Sequence, residues 1–406
     1  MAAREEGGRE GWDVLIYFTV GFASVLVATT SLGLFLPDIN DDLKLSPAEQ
    51  GLLGSSLLVA NVVFAIPMGW WVSRFRPWRT AAVAFVAASG LIALAGGAPG
   101  FGVLLLSRMG LGIVLQACQS PRNILIIQLI SKRRFGLANG FTVAIVDVLM
   151  GAGTILIPFL LGWLGGWRQT MFMWAGVVLV SALLWLALGK DGGRPGSRGR
   201  GEGEEEGTPI RSVFKYREVW FICLGMFGML LARLAFGNFW PRFVLEEHGI
   251  DVQTAGVLMG IGTFAMAPAE LGVVAISFFA RHTTSVLLAC GVGQALAYIG
   301  LISTDSFPLL VLLWIVGGVM FSFFPILITR VFNLPGITPR EVAVASATVF
   351  TALWGGGAVG PLLVGFVEET AGDLRLGLFI SAFTPLALVA TAILLAVYRR
   401  RAPVQG

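Results

Sequence analysis

Two segments half a chain apart carry the same residues in the same register. Gly153, Pro158 and Gly162 are matched by Gly356, Pro361 and Gly365, each set inside a long apolar run. A second correspondence supports the first: Phe35-Leu36-Pro37 leads through a short polar stretch to Gly51, and Phe239-Trp240-Pro241 leads likewise to Gly256. Self-similarity at this period describes a chain built from two like halves, each too apolar to live in water.

The composition agrees. Charged residues make up 13% of the 406 positions and hydrophobic ones 56%, whereas soluble domains carry roughly 25% charge. Disorder, collagen and solenoid classes are excluded by the length of the apolar runs. The net charge of +4 does not argue for nucleic acid, because the basic residues sit in short loops between apolar segments. Cys118, Cys223 and Cys290 lie inside apolar runs without disulfide or metal spacing, and His248 and His282 fall in loops; no metal and no cofactor is expected.

Apolar runs able to cross roughly 30 Å of hydrocarbon as helices fall near 14–37, 50–73, 80–98, 102–130, 137–164 and 170–189. They resume near 219–243, 253–279, 285–303, 307–331, 342–367 and 375–398. The first reads as a span and not as a removable signal, since it lacks a small-x-small cleavage site. The expected organisation is an N-terminus over 1–13, a six-helix bundle over 14–189, a linker over 190–217, a second bundle over 218–398 and a tail over 399–406. Gly and Glu clusters in the linker cannot bury a core. With the N-terminus inside, 21 Lys and Arg fall on the inner side and 4 on the outer, which places both termini in the cytoplasm and the protein in the cytoplasmic membrane. Ser46-Pro47-Ala48-Glu49 spells a capping box that starts the second span at the water boundary.

These residues resemble the major facilitator superfamily along nearly the whole chain. Gly69 through Ser73-Arg74 to Arg79 stands where the family has its inner-loop signature G-x-x-x-D-R-x-G-R, although Ser73 replaces the Asp and Arg76 the Gly. Arg108 to Gly112 resembles the fourth-helix R-x-x-x-G motif. The resemblance implies an all-α membrane fold of twelve transmembrane helices in two pseudo-symmetric six-helix bundles, with Gly69, Ser73 and Arg74 at an inner-loop gate. Ser73 brings no charge, so this gate is expected to be weaker than the family pattern.

Charges inside spans identify candidate sites, because each costs roughly 2.5–3.5 kcal/mol on insertion scales. Five stand out: Arg108, Arg122, Asp147, Arg233 and Glu270. Arg122 and Asp147 fall at similar depth in adjacent helices, as a structural ion pair or as a pair that opens during a cycle. Arg233 has no acid in its own span and offers a bidentate fork for an anion, unless it reaches outward to the interface. Glu270, read as the only acid within a span of the second half, is the candidate proton carrier with Asp147. Gln116, Gln119, Thr30 and Asn238 add polar groups that contact substrate or bond between helices, the latter worth about 0.6 kcal/mol each.

The reading is a secondary active transporter of a small solute, an organic or inorganic anion moved with protons, acting as a monomer in the bilayer. The alternative within transport is a proton-driven multidrug efflux antiporter, and from another class a non-transporting membrane sensor. No nucleophile–base pair points to an enzyme, and no Gly-rich phosphate loop with Lys points to ATP. Family nitrate carriers place an arginine in the second and eighth helices, where this chain has Asn61 and Glu270.

Overall fold

The computed structural model describes residues 2–72, 75–129, 135–188, 215–275, 282–334 and 337–401. Among them every regular element is an α-helix, as a bilayer requires: a helix satisfies its backbone N–H and C=O groups within its own segment. Eleven segments are long and apolar enough to cross a membrane. The remaining predicted span, 50–73, coincides with the 26-residue helix Pro47–Val72, about 39 Å long at 1.5 Å per residue. The protein is therefore an all-α, multi-pass membrane protein whose helices follow the predicted order.

The chain divides into two compact units. One comprises Met1–Leu45 with Ser56–Gly203, the other Ser46–Ser55 with Glu204–Gly406. The first contains α1 (Ala2–Thr30), α2 (Leu32–Leu43), most of α3 (Pro47–Val72), α4 (Pro77–Gly96), α5 (Phe101–Leu129), α6 (Phe135–Leu164) and α7 (Trp167–Leu188). The second contains α8 (Arg217–His248), α9 (Val252–Ala275), α10 (Thr283–Ser303), α11 (Phe307–Met320), α12 (Phe323–Phe332), α13 (Pro339–Ala371), α14 (Leu374–Ala382) and α15 (Leu386–Arg401). The first nine residues of α3 thus group with the second unit. Large apolar side chains remain open on the helix surfaces, Trp163 at 80%, Leu106 at 66% and Phe366 at 64% exposure, a pattern suited to lipid and costly in water.

The repeated glycine-proline pattern has a packing role in each unit. A Cβ on Gly153 of α6 would stand 2.3 Å from Val27 Cγ1 of α1. One on Gly356 of α13 would stand 2.1 Å from the Phe227 carbonyl oxygen of α8. In both units the helix carrying the repeat lies against the unit's first helix at a distance that only glycine allows.

Three predicted spans are broken. The first is interrupted at Ser31, between α1 and α2. The span at 307–331 is interrupted by a turn at Phe321 and Ser322, whose N–H groups donate to the carbonyls of Gly318 and Val319 at 3.1 Å each. The last is interrupted between Phe383 and Pro385. Shorter i→i−3 bonds keep the backbone satisfied at these points, so a membrane helix tolerates them. The capping box forms as expected: Ser46 N–H donates to Glu49 Oε2 at 2.9 Å, and Glu49 N–H to Ser46 Oγ at 3.3 Å.

Candidate functional site

In the second unit, three helix faces bring Arg233 into an aromatic setting. Arg233, Phe236 and Trp240 follow i, i+3, i+7 spacing and share one face of α8. The Arg233 guanidinium carbon lies 4.7 Å over the Phe321 ring. Phe236 stacks on Tyr298 of α10 with centroids 4.2 Å apart, and Trp240 meets Trp314 of α11 edge-on at 5.0 Å. Among the described residues no carboxylate forms an ion pair with Arg233. A cation held on a ring face keeps its in-plane N–H groups available, the arrangement that receives carboxylate, sulfonate or phosphate oxygens.

Asn238, one turn further along α8, is buried; its Nδ2 donates to the Leu234 carbonyl at 2.7 Å. Its Oδ1 lies 3.1 Å from the place a Cβ on Gly54 would take. Glu270 is part-buried on α9, two residues beyond Pro268. It is not the only acid in the spans of this half. Glu368, just past the predicted end of its span, lies in the last turns of an apolar segment running to Ala371, with its side chain 9% exposed. Glu218, in the first turn of α8, is also buried, at 6%.

Glu368 belongs to a cluster that the linear sequence did not reveal. Arg242 donates twice to it, Nη2 to Oε1 at 2.8 Å and Nη1 to Oε2 at 3.1 Å. Arg242 Nη1 also donates to Gln50 Oε1 at 2.9 Å, and Nε to Glu246 at 2.7 Å. The arginine thereby joins α8, α13 and the start of α3. Beneath it the backbones nearly touch: a Cβ on Gly51 would lie 2.7 Å from the Pro361 carbonyl oxygen, and one on Gly365 2.5 Å from that of Pro47. By sequence alone Arg242 is only one of the four basic residues on the outer side. Its position next to Pro241, matched in spacing to the Pro37 segment, was the available signal.

A second charged constellation lies where α8, α12 and α13 begin or end. Arg330 Nε donates to Glu218 Oε2 at 2.9 Å. Lys215 Nζ donates to Glu341 Oε1 at 2.7 Å, and the Tyr216 hydroxyl to Glu341 Oε2 at 2.9 Å. Glu341 also closes the capping box of α13 with Thr338. The Lys215 ammonium, with the Thr338 N–H behind it, holds the Glu341 carboxyl down to about 2.

In the first unit, Gln116 Nε2 donates to Asn61 Oδ1 at 2.9 Å and to its carbonyl at 3.2 Å, tying α5 to α3. Thr30 is exposed and its hydroxyl donates to Leu26 O at 2.8 Å. Arg108 is buried and donates to Thr29 O at 3.3 Å. Asp147 is part-buried on α6. The side chains of Gln119 and Arg122, the surroundings of Gly69, and Ser73 with Arg74 lie outside the described residues. Among the described residues no cluster of His, Cys, Asp and Glu has metal-binding geometry.

Comparison with known proteins adds the family. A chain from Staphylococcus epidermidis described as a probable nitrate transporter is 24% identical over 94% of this chain and 96% of its own length. A probable sulfoacetate transporter of Cupriavidus necator is 23% identical over 90% and 88%. Among solved structures, a nucleoside transporter, NupG, superposes with a TM-score of 0.74 at 16% identity, covering 95% of this chain and 99% of that one. It speaks for the fold alone. The profile of the Major Facilitator Superfamily matches residues 16–285, and the protein is a transporter belonging to that superfamily.

Proposed function

We propose that this transporter carries a small anion, organic or inorganic, across the cytoplasmic membrane by alternating access coupled to protons. The observation that carries the reading is Arg233: a guanidinium within a membrane span, stacked on Phe321, with no acidic partner among the described residues. A drug-efflux carrier of cations would favour the opposite charge at such a place. The relatives named for nitrate and sulfoacetate both point to anions. The aromatic surroundings of Arg233 favour an anion with an organic part over nitrate, as does the presence of Asn61 and Glu270 where family nitrate carriers have arginines.

In this reading the chain forms two bundles, 14–189 and 218–398; Arg233 binds the substrate charge, and Arg122, Gln116, Gln119, Thr30 and Asn238 are further candidate substrate contacts. Glu270 or Asp147 loads and releases the coupling proton, and Gly69, Ser73 and Arg74 form the inner-loop gate. Both termini face the cytoplasm, in accord with the distribution of Lys and Arg. The test uses proteoliposomes with an imposed proton gradient and a panel of nitrate, sulfoacetate, lactate and phosphate. Arg233→Lys keeps the charge and loses the fork, so affinity for the transported anion falls while the protein still folds. Glu270→Gln abolishes accumulation and spares exchange. Uptake of the panel indifferent to Arg233 would overturn the anion reading; accumulation by the Gln variant would move coupling away from Glu270.

A further inference from the structure

The start of α3 is held to α8 and α13 by contacts of two kinds. Of its 26 residues, Pro47–Ser55 group with the second unit and the remainder with the first. Within the opening segment Pro47, Gln50, Gly51 and Gly54 follow i, i+3, i+4, i+7 spacing and share one face. Much of that face is bare backbone. A Cβ on Gly365 would lie 2.9 Å from the Gly51 Cα, and one on Gly54 would lie 2.7 Å from Pro361 Cβ and 3.1 Å from Asn238 Oδ1. Glycine faces bury little apolar surface, so parting them forfeits little hydrophobic stabilisation. The second kind of contact is polar. Gln50, 1% exposed, accepts from Arg242 Nη1 at 2.9 Å, and the Ala48 N–H donates to Glu369 Oε2 at 3.2 Å.

Arg242 is shared between two helices. Its Nη1 and Nη2 donate to Glu368 on α13, and its Nε donates to Glu246 one turn along α8. Glu369 adjoins Glu368 on α13, and Glu49 on α3 is engaged in the capping box with Ser46. Glu247 at the end of α8 is exposed, as are Asp373 and Arg375 at the start of α14, where Asp373 caps its own helix. Glu246, Glu368 and Glu369 thus outnumber the one guanidinium, so the cluster can take up a proton without stranding its arginine. On a protonated Glu368 one oxygen becomes a hydroxyl donor, and the two-bond fork to Arg242 is lost. Glu246 still compensates the guanidinium on its own helix, and Gln50 loses the fixed donor that ties it to α13.

We propose that Arg242, Gln50 and Glu368 form a latch on the start of α3 that protonation of Glu368 releases. This rests on the reading of alternating access, in which a helix shared by two moving units must let go of one of them or bend; it does not depend on the anion or on Glu270. Nitroxide labels at Ala48→Cys on α3 and Thr370→Cys on α13, both exposed positions, report the separation in full-length protein held in nanodiscs. Native Cys118, Cys223 and Cys290 are buried. The otherwise wild-type protein is expected to show one short separation at about pH 8 and a second, longer one at about pH 4.5, the ratio of long to short rising about tenfold, roughly 1.4 kcal/mol. Glu368→Gln, which cannot ionise, is expected to show the longer separation in equal share at both pH values. Gln50→Ala cuts only the bond to α3 and keeps the Arg242–Glu368 pair. It is expected to populate the longer separation already at the higher pH, and it carries the test should Glu368→Gln not fold. A pH response retained by Glu368→Gln overturns Glu368 as the site of release. A separation independent of pH without these substitutions, or a Gln50→Ala protein that stays closed at the higher pH, overturns the latch. In either case, uptake of the anion panel by the labelled protein shows separately whether alternating access stands.

Discussion

Removing the Glu368 carboxylate should be among the most damaging single changes outside the helix crossings. In the Arg242–Glu368 pair the side chains are 12% and 9% exposed, and the contact is bidentate. Exposed ion pairs contribute about 0–1 kcal/mol because water and salt screen them, and the Arg242–Glu246 contact, with Glu246 at 48% exposure, belongs to that class. The Glu368 contact does not. Taking one partner from a buried pair leaves the other charge uncompensated and costs about 3–5 kcal/mol, whereas removing both is milder. Glu368→Ala leaves Arg242 with Gln50 and the screened Glu246, which places the loss near the lower bound, about 3 kcal/mol. For a unit of this size each kcal/mol shifts the midpoint by roughly 2–4 °C, so thermal unfolding in detergent should fall by roughly 6–12 °C. Arg242→Ala should lose a similar amount, because it strands Glu368. Adding Arg242→Ala to Glu368→Ala should cost little more, about 3 kcal/mol in place of an additive sum of about 6, a coupling energy of about 3 kcal/mol in the double-mutant cycle. Additive losses, or a single-variant shift of only a degree or two, would refute the argument that this pair is shielded and cooperative.

Three further outcomes are expected. Gly356→Leu should destabilise by about 1–3 kcal/mol or block folding, because its Cβ would meet the Phe227 carbonyl at 2.1 Å. Gly355→Ala, whose Cβ would meet only Phe227 Cε2 at 3.9 Å, should be tolerated, and equal effects in a thermal melt would count against the packing role. The Glu341 carboxyl is held at about 2, below its ordinary value of 4.5. Its contribution is therefore fully present above about pH 4.5 and is lost as pH falls toward 2. Glu341→Gln should flatten that acid limb in a pH series of melts, and an unchanged limb would refute the assignment. Finally, protease added outside intact cells should leave the 190–217 linker uncut, while protease in inverted vesicles should cut it; the reverse pattern would overturn the proposed topology.

What could be read from the linear chain is what depends on local interactions or on the solvent. A membrane helix closes its hydrogen bonds within its own segment, so the spans, their order and the Ser46–Glu49 capping box were legible before any tertiary contact was known. The repeated Gly153 and Gly356 motifs likewise announced two related halves, and their meaning as contact points follows from the missing Cβ. The family was legible for the same reason, since its motifs lie at helix ends and short loops. Rotation of each helix about its axis was not legible. In water an amphipathic stripe reveals which side faces the core, but lipid is as apolar as leucine, and helices such as α11 are apolar all round. Only tertiary packing decided that Arg242 meets Glu368, 126 residues away, and that Arg233 lies on Phe321. The turn at Phe321 was hidden too, because i→i−3 bonds satisfy the backbone there without any marker in the residues. Side-chain partners in this protein are chosen by packing between helices, a term that local sequence periodicity does not contain.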